Sequence, residues 1–572
     1  VSLRRIGRLF TPYRWQLAIV TAIIAASSVV GVASPFLLRA VIDTALPDRN
    51  VRLLAWLVAG MVAVAAITSA FGVIQTWIST KVGQQVMHGL RTSVFSHLQR
   101  QSIGFFTRTR TGEVQSRITN DIGGMESVVT STATSIAANF TTAIATAAAM
   151  IALSWRLSVI SLVVMPPSIY LTRKVARMRR AITTQQQREL ADLNVTIEEG
   201  LSINAIQLAK TMGTGPSLVQ RFTASSARLI DLELRSQLAG RWRMASLSVI
   251  FAAIPAIIYL AAGLPVTAGA MTIGTLIAFT TLQNNLFRPL TGLLSTSVSV
   301  ISSLALFARI FEYLDLPVDV DDPASPVEID PARVAGHVRF TGVSFSYPGA
   351  DRPALAGIDL DVPAGSTLAL VGETGSGKTT LAALIARLYD PTSGSVSVDG
   401  IDIRDMKLTD LAAIVGVVSQ ETYLLHTTVR ENLRYARPEA TNAEIEDAAR
   451  AAQIHDLIAG LPDGYDTMVG SRGHRFSGGE KQRIAIARTL LRDPRVLVLD
   501  EATSALDTET ERAVQKAFDT LARGRTTITI AHRLSTVRNA GQIVVLDHGR
   551  IAEAGTHTSL VAGHGRYASL AA

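Results

Sequence analysis

Six stretches of the chain are apolar over lengths that suit a bilayer crossing, for which a helix needs about 20 residues. They are Trp15–Leu38, Leu53–Trp77, Ser131–Ser154, Leu157–Tyr170, Met244–Ala262 and Ile273–Leu293. The fourth is short and contains Pro166 and Pro167, so its ends are the least defined. Two polar connections, residues 78–130 and 171–243, separate the stretches. Both are too long to be structureless loops. Their mixture of Leu, Ile and Val with Gln, Arg and Glu predicts helices that continue beyond the bilayer. Ahead of the first stretch, Leu3–Tyr13 sets Arg4, Arg5 and Arg8 among Leu3, Ile6, Leu9 and Phe10, the pattern of a short helix lying on a membrane surface. A signal peptide also begins with basic residues, but Trp15–Leu38 exceeds a signal's apolar core and further spans follow.

The pattern changes after Leu316. Pro317–Pro331 carries five acidic residues and four prolines without periodicity, and predicts a linker. From about His337, short β-like runs alternate with turns and helical patterns, as in an α/β domain. The expected division is a membrane domain over 1–316, a linker over 317–336 and an α/β domain over 337–572.

Composition agrees with the spans. Hydrophobic residues make up 48% of the chain, charged residues only 17%, and mean hydropathy is +0.30, a balance unusual for a soluble protein. The net charge of +8 needs no nucleic-acid partner, because no basic face is interleaved with aromatics. Its arginines gather in the long connections, for example Arg91, Arg100 and Arg108 in the first and Arg173, Arg221 and Arg235 in the second. The short connections differ: Trp155-Arg156 is nearly a tight turn, and Gly263–Thr272 carries no charge. This asymmetry places the long connections and both termini in the cytoplasm. The chain has no cysteine, which excludes disulfides and thiolate metal sites. Val1 is not a methionine, so a trimmed start is expected, and no peptidase domain precedes the first span, so leader-peptide processing is not expected.

The candidate chemistry lies in the α/β part. Gly372–Thr380 reads GETGSGKTT and fits the phosphate-loop pattern G-x-x-x-x-G-K-[ST]. Gly375 and Gly377 let backbone N–H groups, with Ser376 between them, turn toward phosphate oxygens. Lys378 supplies a point charge, and Thr379 a hydroxyl for Mg²⁺. The preceding TLALV run (Thr367–Val371) predicts a buried strand, and Thr380–Tyr389 a helix. Val496–Asp500 (VLVLD) is a second buried strand that delivers Asp500 to the metal, with Glu501 next in line to polarise the attacking water. A third, Thr526–Ile530, leads to His532 at an equivalent strand end, where a γ-phosphate contact is the expectation. Arg475–Lys481 (RFSGGEK) opens a helical run, so Ser477, Gly478 and Gly479 form a second anion-facing helix start.

With Ser504–Asp507 (SALD) directly after the Asp500-Glu501 pair, these motifs resemble the nucleotide-binding domain of ABC transporters. Together with the six spans, the chain resembles an ABC exporter half-transporter. The resemblance covers nearly the whole chain, with specific motifs over 337–560 and mostly topology before that. It implies an α-helical six-span transmembrane domain with long cytoplasmic helical extensions, followed by an α/β P-loop ABC ATPase domain. It also implies roles. Gly372–Thr380, including Thr380, matches the Walker A motif. Val496–Asp500 matches Walker B, with Glu501 the catalytic carboxylate. Tyr347 in FSYP stands where the family stacks an aromatic on adenine. Gln420 matches the Q-loop and is expected, with Thr379 and Asp500, near Mg²⁺. Ser477, Gly478, Gly479 and Glu480 match the signature, Asp507 the D-loop and His532 the switch histidine. Coupling helices are expected around Thr111–Asp121 and Thr211–Ser217. The signature reads FSGGE where the family pattern is LSGGQ, and Ser471 stands where exporters commonly carry Glu. These departures bear on the ATP site that this signature completes in the partner.

The implied function is ATP-driven export or flipping, by alternating access, of a hydrophobic or amphipathic compound such as a drug, lipid or peptide-like molecule. An importer on the same fold is the alternative. A soluble ABC ATPase acting on DNA or ribosomes is opposed by the fused spans, and a non-transporting membrane sensor is a further rival. The cofactors implied are ATP and Mg²⁺. The implied setting is an integral, multi-pass protein of a bacterial-type inner or plasma membrane, in contact with lipid, its nucleotide-binding domain cytoplasmic. Because a closed ATP site needs a signature from across an interface, the partner is a second half-transporter, with a homodimer favoured over a heterodimer. Asn139, Gln283, Asn284, Asn285 and Arg288 are the polar candidates for a cavity within the spans, weighed against helix–helix hydrogen bonding.

Overall fold

A backbone crossing hydrocarbon must pair its own polar groups, and a continuous helix does so. The computed structural model of the chain describes residues 3–109, 111–127, 132–262, 272–420, 422–470, 476–500, 508–531 and 537–571. The N-terminal part is built of helices joined by short turns, with no strand among its described residues. Helix α1 (Leu3–Phe10) leads through a 3₁₀ turn at Thr11–Tyr13 into α2 (Arg14–Ala40), and α3 (Val51–Gln99) follows. Short helices α4 (Ile103–Arg108), α5 (Thr111–Ser116) and α6 (Ile122–Ser127) precede α7 (Ala133–Leu153) and α8 (Trp155–Gly200). Next come α9 (Ile203–Met212), α10 (Gly215–Ala262) and α11 (Ile273–Leu314). Helix α3 has 49 residues, which is about 70 Å of helix against a hydrocarbon core of about 30 Å. Helices α8 and α10, at 46 and 48 residues, likewise outrun the bilayer, as their polar connections predict.

Three helical segments among the described residues are long and apolar enough to span: Arg4–Ala45, Val51–Gln99 and Thr134–Leu153. The other three predicted stretches fall within α8, α10 and α11.

The chain forms two compact units, and the cut in space is not a single cut in sequence. Residues 1–94 and 115–314 form the first, and residues 95–114 and 315–572 the second. In the first unit, small residues let helices approach. Ser28 Oγ of α2 lies 3.0 Å from Thr142 Oγ1 of the alanine-rich α7. Past α2, a π-helical turn at Val41–Ala45 carries Asp43, whose carboxylate caps α11 by accepting from Gly274 N at 2.8 Å and from the Thr272 hydroxyl. The polar extensions of α8 and α10 pair through Glu189 with Arg228 at 2.5 Å and through Gln186 with Glu233.

The second unit holds two sheets. Strands β1 (Val338–Phe345) and β2 (Leu355–Val362) belong to one, and β3 (Thr367–Val371) to the other. Helix α12 (Lys378–Ile385), strands β4 (Ser393–Val398) and β5 (Ile401–Asp402), helix α13 (Leu408–Ile414) and β6 (Val415–Val418) follow. A helical part comprises α14 (Val429–Arg434), α15 (Asn442–Ala451), α16 (His455–Ala459) and α17 (Gly478–Arg492). The chain then runs through β7 (Val496–Asp500), α18 (Thr508–Ala522), β8 (Thr526–Ile530), β9 (Gln542–Asp547) and β10 (Arg550–Gly555). The smaller sheet is antiparallel in the order β2-β1-β4-β5. The larger runs β10-β9-β3-β8-β7-β6, parallel except at the β10 edge. One apolar core lies between the sheets and α12, and a second gathers the helical part around α17 and α18.

Residues 95–114 join this unit through the linker. His97 Nε2 lies 3.0 Å from Leu316 O, Ser102 donates to Asp319 at 3.0 Å and Arg100 pairs with Asp321. Buried Arg387 donates to Asp321 O and to Asp390, which closes the same cluster. The first coupling helix was expected at Thr111–Asp121, but that stretch is divided between the units. The short helix inside the ATPase unit is α4, whose Gly104 sits so close to Tyr389 that an added Cβ would lie 3.3 Å from its ring. Near the second expected position, α9 ends at Gly213, φ +68, and Thr211–Ser217 spans that break.

In the helical core Asn432 is 0% exposed and carries four hydrogen bonds: it accepts from Leu425 N and Arg488, and donates to the carbonyls of Leu425 and Thr428. Asn432→Leu keeps the branched shape but leaves the Leu425 N–H without its acceptor and takes one of three acceptors from Arg488. It should lower unfolding stability by about 2–4 kcal/mol, measured by denaturation of the purified protein in detergent. A change below about 0.5 kcal/mol would show that this network is not holding the helical core.

Candidate functional site

Parallel pairing places several strand ends at one edge of the larger sheet. Leu370 pairs with Ile530, Ile530 with Asp500, and Leu499 with Val418. The chain leaves β3 into the phosphate loop, β7 at Asp500, β6 toward Gln420 and β8 toward residue 532 at this common carboxyl edge, where open α/β sheets bind ligands. Gly375 and Gly377 have φ of +84° and +107°. A Cβ on Gly377 would lie 2.8 Å from Ala354 O, whereas one on Gly375 would meet nothing within 4 Å. Gly377 then caps α12, whose exposed Thr379 stands in the first turn.

Lys378 is buried, with its ammonium folded onto the loop. It donates to Gly372 O at 2.7 Å and Glu373 O at 2.8 Å, with Ser376 Oγ at 3.5 Å. Burial pushes its pKa down from the usual lysine value, and the nearby Asp500 carboxylate opposes this. Asp500 is half-buried and Gln420 exposed. A hydroxyl, a carboxylate and a carboxamide oxygen are the hard donors that Mg²⁺ takes, so Thr379, Asp500 and Gln420 fit that ion in chemistry. Tyr347 packs edge-on against Phe345 and Tyr389, with ring centroids at 4.9 and 5.4 Å. Its hydroxyl lies 3.0 Å from Thr380 Oγ1. Motif reading missed this support, because Phe345 and Tyr389 carry no motif of their own.

The signature sits on the other core. Ser477 caps α17 in a capping box: Ser477 Oγ accepts from Glu480 N at 3.4 Å, and the Glu480 carboxylate accepts from Ser477 N at 2.7 Å. Gly478 and Gly479 form the first turn, and Phe476, 6% exposed, is buried in the helical core. The two departures from the family pattern are therefore locally satisfied, one by packing and one by capping. Glu501, Asp507 and His532 lie outside the described residues, as does Ser471.

Two cavities of the first unit include polar candidates from the spans. One, about 610 Å³, is lined by Ser28, Asn139, Thr142, Asn285 and Arg288 beside Ile24, Val32 and Leu282. Asn139 packs flush on Gly292, where an added Cβ would lie 2.5 Å from its Nδ2. The other, about 330 Å³, includes Gln283. Asn284 lines neither of these two.

The two loop glycines separate strain from contact. Gly375→Ala should cost about 1 kcal/mol through its positive φ alone. Gly377→Ala should cost distinctly more, about 2–3 kcal/mol, because the new methyl also meets backbone. Thermal unfolding of the two purified variants checks the order, and equal losses would contradict it.

Two family models match, the ABC transporter transmembrane region over residues 17–290 and the ABC transporter domain over 355–504. The chain is 36% identical over 569 residues to an ATP-dependent lipid A-core flippase of Syntrophus aciditrophicus, covering 99% of this chain and 93% of that protein. It is 33% identical to a putative multidrug export ATP-binding/permease protein of Bacillus subtilis, covering 99% and 98%. Among solved structures, a bacterial Atm1-family ABC exporter with ATP bound superposes with a TM-score of 0.80 at 30% identity, covering 97% of each chain. Helical membrane unit, carboxyl-edge phosphate site and these full-length likenesses agree: the chain belongs to the ABC transporter family, as an exporter half-transporter whose ATPase is coupled to transport.

Proposed function

We propose that this ABC exporter moves an amphipathic compound outward through its transmembrane unit, working as a dimer of two such chains. The observation that carries this reading is the mixed lining of the larger cavity. Polar groups of Ser28, Asn139, Thr142, Asn285 and Arg288 face it beside Ile24, Val32 and Leu282. Ser28 and Thr142 satisfy each other, but a purely apolar cargo would set Asn285 and Arg288 against hydrocarbon. A fully hydrophilic one would lose its hydration against the apolar wall. Flippase and multidrug-export relatives support the same class of cargo.

In this reading ATP binds at the carboxyl edge of the larger sheet. The cradle turns backbone N–H groups to the phosphates, and Lys378 exchanges its loop carbonyls for phosphate oxygens, a change its desolvation favours. Tyr347, held by Thr380, offers its ring face to adenine. Thr379, Asp500 and Gln420 would hold Mg²⁺, which would supply charge neutralisation at the phosphates. Glu501 accepts a proton from the attacking water, and His532 contacts the γ-phosphate. The signature at Ser477–Glu480 and Asp507 of the D-loop act across the dimer interface. Both capping and packing of the signature are intact, which supports a homodimer with two competent sites. The ATPase unit stands in the cytoplasm of a bacterial-type inner membrane.

Glu501→Gln should retain ATP binding and lower turnover by about 100-fold or more, because a carboxamide does not take the proton. Lys378→Ala should instead raise the Kd for ATP. Nucleotide binding and phosphate release on the purified variants separate the two, and wild-type turnover in Glu501→Gln would defeat the assignment. The chain expressed alone should purify as a dimer with cooperative ATPase activity. A product that is inactive until a second half-transporter is added would overturn the homodimer. Stimulation of that ATPase in proteoliposomes by amphipathic compounds tests the cargo class.

A further inference from the structure

The smaller cavity has a different chemistry from the larger. It lies between α7, α8 and α11, with a volume of about 330 Å³. Its walls are almost entirely apolar, formed by residues such as Met150, Ile151, Trp155 and Phe287, and none of its described lining residues is charged. Into this wall are set two polar side chains that have no partner. Gln283 is 0% exposed, and neither its Oε1 nor its Nε2 makes a hydrogen bond. Ser161 is 5% exposed, and its hydroxyl is also unpaired. A serine in a helix can return its hydroxyl to the carbonyl four residues back. Ser158, one turn earlier in the same cavity, does so by donating to Ser154 O at 2.9 Å. Ser161 does not.

A buried amide without partners forfeits its hydrogen bonds to water, and proteins rarely carry one without a use for it. Water is a poor occupant here. The volume corresponds to about ten water molecules at about 30 Å³ each, and an apolar wall offers them few partners. An alkyl chain of lipid fits the wall but leaves Gln283 and Ser161 unpaired. The volume falls within the range of small-molecule sites, which are mostly apolar with a few convergent polar groups. A carboxamide presents a donor and an acceptor together, and so complements a glutamine amide on both sides. The absence of charge in the lining disfavours an ionised head group.

We propose that this cavity is a binding subsite for an uncharged amphipath, a carboxamide head on an apolar body. Gln283 pairs with the head, Ser161 adds a third hydrogen bond, and the wall of Met150, Ile151 and Phe287 holds the body. Trp155, exposed at the α7–α8 turn, stands at its mouth. With the arginine-rich connections in the cytoplasm, that turn faces the outer leaflet. Gln283 lies ten residues into α11, about 15 Å from its start. The subsite therefore reaches from the outer interface toward mid-bilayer, and it is chemically distinct from the Arg288-bearing cavity. Its role in transport rests on the function proposed above; binding at it does not.

The test uses full-length protein in nanodiscs with Trp155 as the only tryptophan, the other four replaced by Phe. Quenching of Trp155 is titrated with 12-bromododecanamide and with 1-bromododecane, which share a chain and differ in the head. The amide should quench saturably, at a concentration about tenfold below that of the alkane, the ratio expected for one well-made pair of hydrogen bonds. Gln283→Leu should abolish that preference, and Ser161→Ala should reduce it. Without probe, Gln283→Leu should melt no lower than its parent, because it removes an unpaired polar group. Equal quenching by the two probes, or an amide preference that survives Gln283→Leu, would overturn the subsite. So would a marked fall in melting temperature for Gln283→Leu, which would mean that the amide is already paired by water or by a second copy of the chain. ATPase stimulation of the unaltered protein is measured separately, so loss of the amide preference beside intact stimulation removes the subsite alone.

Discussion

The nucleotide site depends on the register of a parallel sheet. Pairing of Leu370 with Ile530 and of Asp500 with Ile530 brings three strand ends to one level. Asp500 stands at that level, Gln420 two residues beyond Val418, and the phosphate loop that carries Lys378 and Thr379 begins directly after β3. A one-residue slip in β7 would turn Asp500 to the other face of the sheet. The strands are buried on both faces, with Val496 and Val498 in one core and Leu497 and Leu499 in the other, so a slip would force each set into the wrong core. Hydrophobic burial thus holds the catalytic geometry, although no apolar residue takes part in the chemistry.

Around that edge, charges are balanced locally before any ligand arrives. Lys378 is desolvated yet bonded to two loop carbonyls, with Asp500 near enough to favour its charged form. Glu480 would be an awkward charge beside a phosphate if it were free. Its carboxylate accepts from Ser477 N at the start of α17, where helix dipole and capping both favour it. The departure FSGGE is therefore compatible with a stable helix start. Phe476 in place of leucine fills the helical core in the same way.

The membrane unit follows a different rule. Hydrocarbon gives no hydrophobic reason for helices to associate, so close packing and hydrogen bonds between them decide. Ser28 with Thr142 and Asp43 with the start of α11 are such contacts. Where they stop, two cavities of opposite character remain: one polar with an arginine, the other apolar with an isolated amide. A transporter for amphipaths has use for both characters, since its cargo carries both.

Local pattern alone determined the broad design. Runs of apolar residues, the arginine asymmetry and the lengths of the polar connections each follow from a single physical rule applied along the chain, and helices over 40 residues long appear where they predict them. The phosphate loop was equally legible, because its glycines and lysine are needed at fixed spacing by the shape of a phosphate. What only the tertiary structure decided are contacts between distant segments. Residues 95–114 join the ATPase unit through Asp319 and Asp321, over two hundred positions away, so the unit takes in α4 and only the first four residues of the expected coupling stretch. Tyr347 is held by Phe345, Tyr389 and Thr380. Gln283 and Asn284 are adjacent amides in one polar run, yet one is fully buried and unpaired and the other exposed. Helical periodicity states that neighbours point different ways. Which of them meets a cavity depends on where α7 and α8 stand, and no residue near position 283 encodes that.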